Sequence, residues 1–83
     1  MNVKILYKDP ASGAIGIIMN PVHVRAWPGV FDDPAGLVLF YNDESCVHIE
    51  MEMDAAEGIV KRLFKSEDAS ESIDLTGFRS KFC

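Results

Sequence analysis

The stretch that decides the fold is Cys46-Val47-His48-Ile49-Glu50-Met51-Glu52-Met53, followed at once by Asp54-Ala55-Ala56-Glu57-Gly58-Ile59-Val60-Lys61-Arg62-Leu63-Phe64-Lys65. Its first half alternates with period two. Val47, Ile49, Met51 and Met53 make an apolar face, and Cys46, His48, Glu50 and Glu52 a polar one. That is a strand with one buried and one wet side. Its second half changes period. Ala56, Ile59, Val60, Leu63 and Phe64 recur at helical spacing and form one apolar stripe. Asp54 is placed to cap the helix, with Glu57 three residues on to complete a capping box. Lys61, Arg62 and Lys65 complement the dipole at the other end, and the helix is expected to stop near Ser66.

Working toward the N-terminus, Leu37–Tyr41 is apolar on both faces. It reads as a central strand, covered on both sides or paired in a dimer. Before it comes Ala26-Trp27-Pro28-Gly29-Val30-Phe31-Asp32-Asp33-Pro34-Ala35-Gly36, too rich in Pro and Gly for regular structure. Val22 and Val24 alternate with His23 and Arg25, an expected short third strand after the Asn20-Pro21 stop. Val3, Ile5 and Tyr7 lead through Asp9-Pro10-Ala11-Ser12-Gly13 into Ile15, Ile17 and Met19, a hairpin. Gly16 weakens its second strand or marks a bulge.

Toward the C-terminus, Glu67–Ser72 reads as a solvated connector. Ile73-Asp74-Leu75 reads as a fifth short strand, and Phe78–Phe82 as a helical turn or docked tail. Residues 67–83 are thus a docked or flexible C-terminal segment of a single domain over 1–83. The expected class is α+β: a mainly antiparallel four- to five-stranded sheet, ordered β-β-(β)-β-β-α-(β), with one helix on one face.

With 83 residues the chain sits where core burial and chain entropy nearly cancel, so a homodimer or partner is an expected source of stability. Eight Lys and Arg against thirteen Asp and Glu give a net charge of −5. Direct nucleic-acid binding and attraction to anionic membranes both need the opposite balance. No apolar run reaches the roughly 20 residues of a membrane helix. Met1-Asn2-Val3-Lys4 opens without the apolar region of a signal peptide, which suggests a cytoplasmic protein. Two cysteines, Cys46 and Cys83, are too few for a secreted scaffold. Two free thiols are the simplest reading, and a bridge between them the alternative.

Chemical signatures are sparse. Cys46 and His48 on one strand face, with His23 or Cys83, could supply zinc ligands, but no paired metal-ligand spacing accompanies them. A Cys46–His48 or Cys46–His23 nucleophile would sit beside Glu50 and Asp43, which raise a thiol pKa. The carboxylate pairs Asp32-Asp33, Asp43-Glu44 and Glu50/Glu52 lie in turns or on a wet face. Phosphate-loop signatures are absent. No catalytic residue, cofactor or metal site is therefore assigned, and the chain is expected not to be an enzyme.

The expected activity is binding to another protein, one with a basic surface. Its surface would comprise Trp27, Phe31, Asp32 and Asp33 of the loop, with His48, Glu50 and Glu52 of the strand. Trp27 reads first as core, the usual place of a single Trp, and otherwise as an interface anchor beside a proline. The alternatives are a small ligand- or metal-binding domain using Cys46, His48 and His23, or a self-assembling subunit. In size, acidity and want of a catalytic signature the chain is similar to small phage and mobile-element proteins that inhibit host machinery. That likeness is one of type and carries no site residues.

Overall fold

Asp9 starts the first reversal of the chain. Its side-chain oxygen accepts from the Ala11 and Ser12 amides at 2.8 and 3.1 Å, and Gly13 supplies a φ of 75°. The flanking strands are β1 (Asn2–Lys8) and β2 (Ile15–Met19), paired antiparallel. In the computed structural model, residues 2–65 and 70–83 are described. Gly16 makes no bulge. It stands opposite Tyr7, whose ring fills the space a side chain would take, with the ring carbon Cζ 2.5 Å from a would-be β-carbon. Asn20 then closes the ladder from a left-handed φ of 50°, accepting from the Val3 amide at 2.8 Å.

The chain crosses next to β3 (His23–Trp27), β4 (Gly36–Phe40) and β5 (Cys46–Glu50), an antiparallel meander. β3 runs through Trp27, so the irregular segment is shorter than the sequence suggests. β4 is the central strand that its doubly apolar pattern predicts. Leu37 and Leu39 fill the core from one face, and Val38 is buried on the other. Asn42 makes the β4–β5 turn by accepting from the amides of Glu44 and Ser45.

The helix, α1, spans Met53–Lys65. It starts one residue before the expected cap. The Ala56 amide reaches the Glu52 carbonyl at 3.0 Å, which places Asp54 inside the first turn. Asp54 there still favours the positive end of the helix dipole. Ala56, Ile59, Val60 and Leu63 pack into the core, and the helix lies on β3 and β4. Phe64, counted in the apolar stripe by its spacing, is exposed. The expected stop near Ser66 lies outside the described residues.

Ser70–Asp74 forms β6, longer toward its N-terminus than the Ile73–Leu75 pattern suggests. Its pairing with β1 explains this, since Val3 and Lys4 meet Glu71 and Ser72 in parallel register. Part of the expected solvated connector is therefore strand, and residues 67–69 lie outside the description. Ser80–Phe82 forms β7, an extended tail rather than a helical turn, bonded antiparallel to β5.

The class is α+β, with the helix on a four-stranded antiparallel sheet ordered β3-β4-β5-β7. The other strands form a separate three-stranded sheet, β2-β1-β6, with one parallel pair. Val3, Ile5, Tyr7, Ile18 and Ile73 of the smaller sheet share one core cluster with Leu37, Leu39, Val47, Ile49 and the helix. No described helix is long and apolar enough to cross a membrane.

The two cysteines are not free thiols. Because Val47 and Phe82 are partners, Cys83 comes beside Cys46, with α-carbons 5.4 Å apart and a disulfide between them. That spacing suits a bridge. Their separation of 37 residues hides it from a reading of the sequence.

Candidate functional site

Three surface features stand out, and each follows from a pairing register. The first is the turn between β3 and β4. Val30 and Asp33 exchange two backbone hydrogen bonds of 2.9 and 2.8 Å, leaving Phe31 and Asp32 at the tip. Phe31 has φ 49° and is fully exposed. Bulky residues avoid that region, and holding one there costs about 1–3 kcal/mol. Gly29, at φ 81°, allows the approach, since a β-carbon there would stand 2.7 Å from the Ala35 amide nitrogen.

The second is the sheet face turned away from the helix. Arg25 is registered with Val38, Val38 with His48, and His48 with Lys81, so all four lie in one row across four strands. Trp27 with Gly36 makes the row on one side, and His23, Phe40 and Cys46 the row on the other. All of these but His23 and Gly36 line an open cavity of about 550 Å³, whose mouth also carries Asp33, Glu44 and Phe82. Lys81 is bonded to Asp33. That hydrogen bond, more than the charges of Lys81 and His48, holds the Asp33 carboxyl below its ordinary range. The Arg25 guanidinium lies 5.5 Å from the centre of the Trp27 ring, a cation–π contact.

This face is not the wet strand side that alternation predicts. His48 is only 4% exposed and Cys46 is buried. The strand ends at Glu50, which is half-buried, while Glu52 is exposed ahead of the helix. β7 pairs along β5 and the disulfide ties it there, so β5 is an inner strand of the sheet.

The third feature is β2. Ile15, Ile17 and Met19 are 68, 54 and 59% exposed, and Ile18 alone of the strand is buried. β2 is an edge strand, paired only with β1 among the described residues. Beside it a groove of about 370 Å³ runs between Ile17, Met19, Tyr41 and Phe82.

Of the residues expected to bind a partner, Trp27, Asp33 and His48 meet at the cavity. Phe31 and Asp32 sit at the turn tip, and Glu50 and Glu52 line neither place. Trp27 is half-buried and forms a cavity wall, between the two roles its sequence context allows. His23 leans on Phe40, ring centres 5.7 Å apart. Cys46 has no thiol to offer a metal or a substrate. Among the described residues no group of three or more His, Cys, Asp or Glu is arranged to hold a metal ion. The sequence reading passed over Arg25 and Lys81, whose only signal is a place in a long-range register. Ile15, Ile17 and Met19 share one face by alternation, but the sequence does not say that this face is the exposed one. The signal was ambiguous, since Ile18 makes β2 apolar on both sides.

No protein-family model matches this chain, and neither a curated protein nor a solved structure matches it.

Proposed function

We propose that this chain is a non-catalytic binding protein that receives an extended strand of a partner protein along the free edge of β2. The exposed row Ile15, Ile17 and Met19 carries the reading. Edge strands are normally guarded by Lys, Pro or a bulge within the strand, and Ile15-Gly16-Ile17-Ile18-Met19 has none of these. Its outward N–H and C=O groups call for another strand, and the groove beside Tyr41 and Phe82 gives alternate side chains of that strand a place to sit. The net charge of −5 favours a partner that is basic around that strand. The specific form is an inhibitor occupying a basic surface of a larger target, with the rigid Phe31 tip as a second contact.

The test is site-specific photo-crosslinking in bacterial lysate. A benzoylphenylalanine at position 17 should join one partner, and the same residue at position 57, on the exposed helix side, should not. With that partner added, amide exchange should slow along β2, and raised salt should weaken the complex. Equal adducts from both positions, or unchanged exchange at β2, would overturn the reading. An adduct between two copies, with a dimer in sedimentation, would replace it by self-assembly.

A further inference from the structure

Two ring nitrogens on the cavity side of the large sheet have nothing to bond to. Trp27 Nε1 and His48 Nε2 are both shielded from solvent and both lack a hydrogen-bond partner. An indole N–H is a donor only, so nothing but an acceptor can satisfy it. Each such orphan costs on the order of 1–3 kcal/mol, and folded proteins seldom keep one without a reason.

The two groups are neighbours by register. Trp27 is paired with Gly36, and the His48 ring reaches over the same glycine, with Nε2 2.5 Å from a would-be β-carbon. The bare α-carbon thus lets both rings converge at one end of the cavity. Positive charge is gathered close by. Arg25 lies over the Trp27 ring and makes no ion pair among the described residues, and Lys81 is held by Asp33 at the mouth. Of the remaining walls, Val38, Phe40, Phe82 and the Cys46–Cys83 bridge are apolar, and Glu44 is the one further carboxylate. The Trp27 N–H and the Arg25 guanidinium are thus donors in want of an acceptor, and an apolar wall adjoins them. The volume, about 550 Å³, lies in the range of small-molecule sites.

We infer that this cavity binds a small aromatic carboxylate. The ring of the ligand lies against Val38, Phe40 and Phe82. Its carboxylate accepts from the Arg25 guanidinium and, once Lys81 and Asp33 part, from the Trp27 N–H. Lys81 and Asp33 are about half exposed, so their pair is free to open in solvent. The inference stands apart from the strand-addition reading, which concerns the edge of the other sheet.

Phenylacetate is the probe, with phenylacetamide as its neutral isostere. Trp27 is the only tryptophan, so its fluorescence and its indole N–H resonance report on the site alone. Phenylacetate should give a saturable fluorescence change and a downfield shift of the indole N–H. Phenylacetamide should bind at least about ten-fold more weakly, as one lost charge-assisted hydrogen bond implies. Arg25→Gln, at an exposed side chain, should weaken phenylacetate by a similar factor while the circular dichroism stays unchanged. Absence of saturation by phenylacetate, equal affinity for the amide, or parental affinity in the folded Arg25→Gln variant would each overturn the assignment.

Discussion

The His48 ring lies across the α-carbon of Gly36, on the neighbouring strand. A β-carbon at position 36 would stand 2.5 Å from His48 Nε2 and 2.2 Å from the Ile49 carbonyl oxygen. Gly36→Ala should therefore lower stability by about 2–3 kcal/mol, an overpacking cost. Chemical denaturation measures it. Adding His48→Ala should recover only part of the loss, because the carbonyl contact is backbone and cannot move aside. Full recovery would mean that the imidazole alone sets the requirement.

The Cys46–Cys83 bridge closes a loop of 37 residues. Loop-closure entropy at that length corresponds to about 4 kcal/mol, less any strain. Cys83→Ser should lose about 2–4 kcal/mol, and a thiol reductant should bring the parent down to the same value while leaving the variant unmoved. Parental stability in the variant would show that β7 is held by its ladder alone.

Two carboxyls predict an acid limb. Asp33 is held below its usual range first by the hydrogen bond from Lys81, and Asp74 by hydrogen bonds from the Thr76 hydroxyl and amide. A lowered folded value means that the stabilisation is present above the ordinary carboxylate range. It drains away as the pH falls below about 4 and through the folded values. Asp33→Asn/Asp74→Asn should show a flatter loss of melting temperature between about pH 4 and pH 2. A parental slope in the double variant would contradict the assignment.

Phe31 holds a positive φ with its ring in solvent. Phe31→Asn puts a residue that tolerates this conformation at the tip and should raise stability by about 0.5–1 kcal/mol. If the tip is a contact, the same change should weaken the crosslinked complex. A gain in stability with no loss of binding would leave strain without a use.

Neighbouring positions on β2 should behave oppositely. Ile17→Lys, on the exposed side, should shift stability by no more than about 0.5 kcal/mol. Ile18→Lys buries a charge in the core and should unfold the chain. The melting curves of the two variants read the strand's facing directly.

The helix and β5 were legible because each pairs a clean period with a clean face. Val47 and Ile49 point to the core, and so do Ala56, Ile59, Val60 and Leu63. The doubly covered β4 was legible for the same reason. The split into two sheets was not, because the β1–β6 pairing joins Asn2 to Ser70 and leaves no local mark. β2 could face either way, since Ile17 and Ile18 are equally apolar. The cavity was hidden more deeply. Arg25, His48 and Lys81 come from three strands, and only the paired register shows that they share a row. Trp27 and His48 were singled out one at a time, but their convergence depends on a glycine that reads as a loop residue.

The parallel pairing of β1 with β6 also sets a timetable. Val3 and Ile5 have Glu71 and Ile73 as register partners, so the smaller sheet stays a lone hairpin until that distant segment exists and arrives. A two-stranded hairpin is marginal by itself. Closing so long a loop before any contact rewards it slows folding relative to the microseconds of helical bundles. Through that interval the Ile15–Met19 edge stands in water without the core that later buries Ile18, which makes it a segment prone to aggregation.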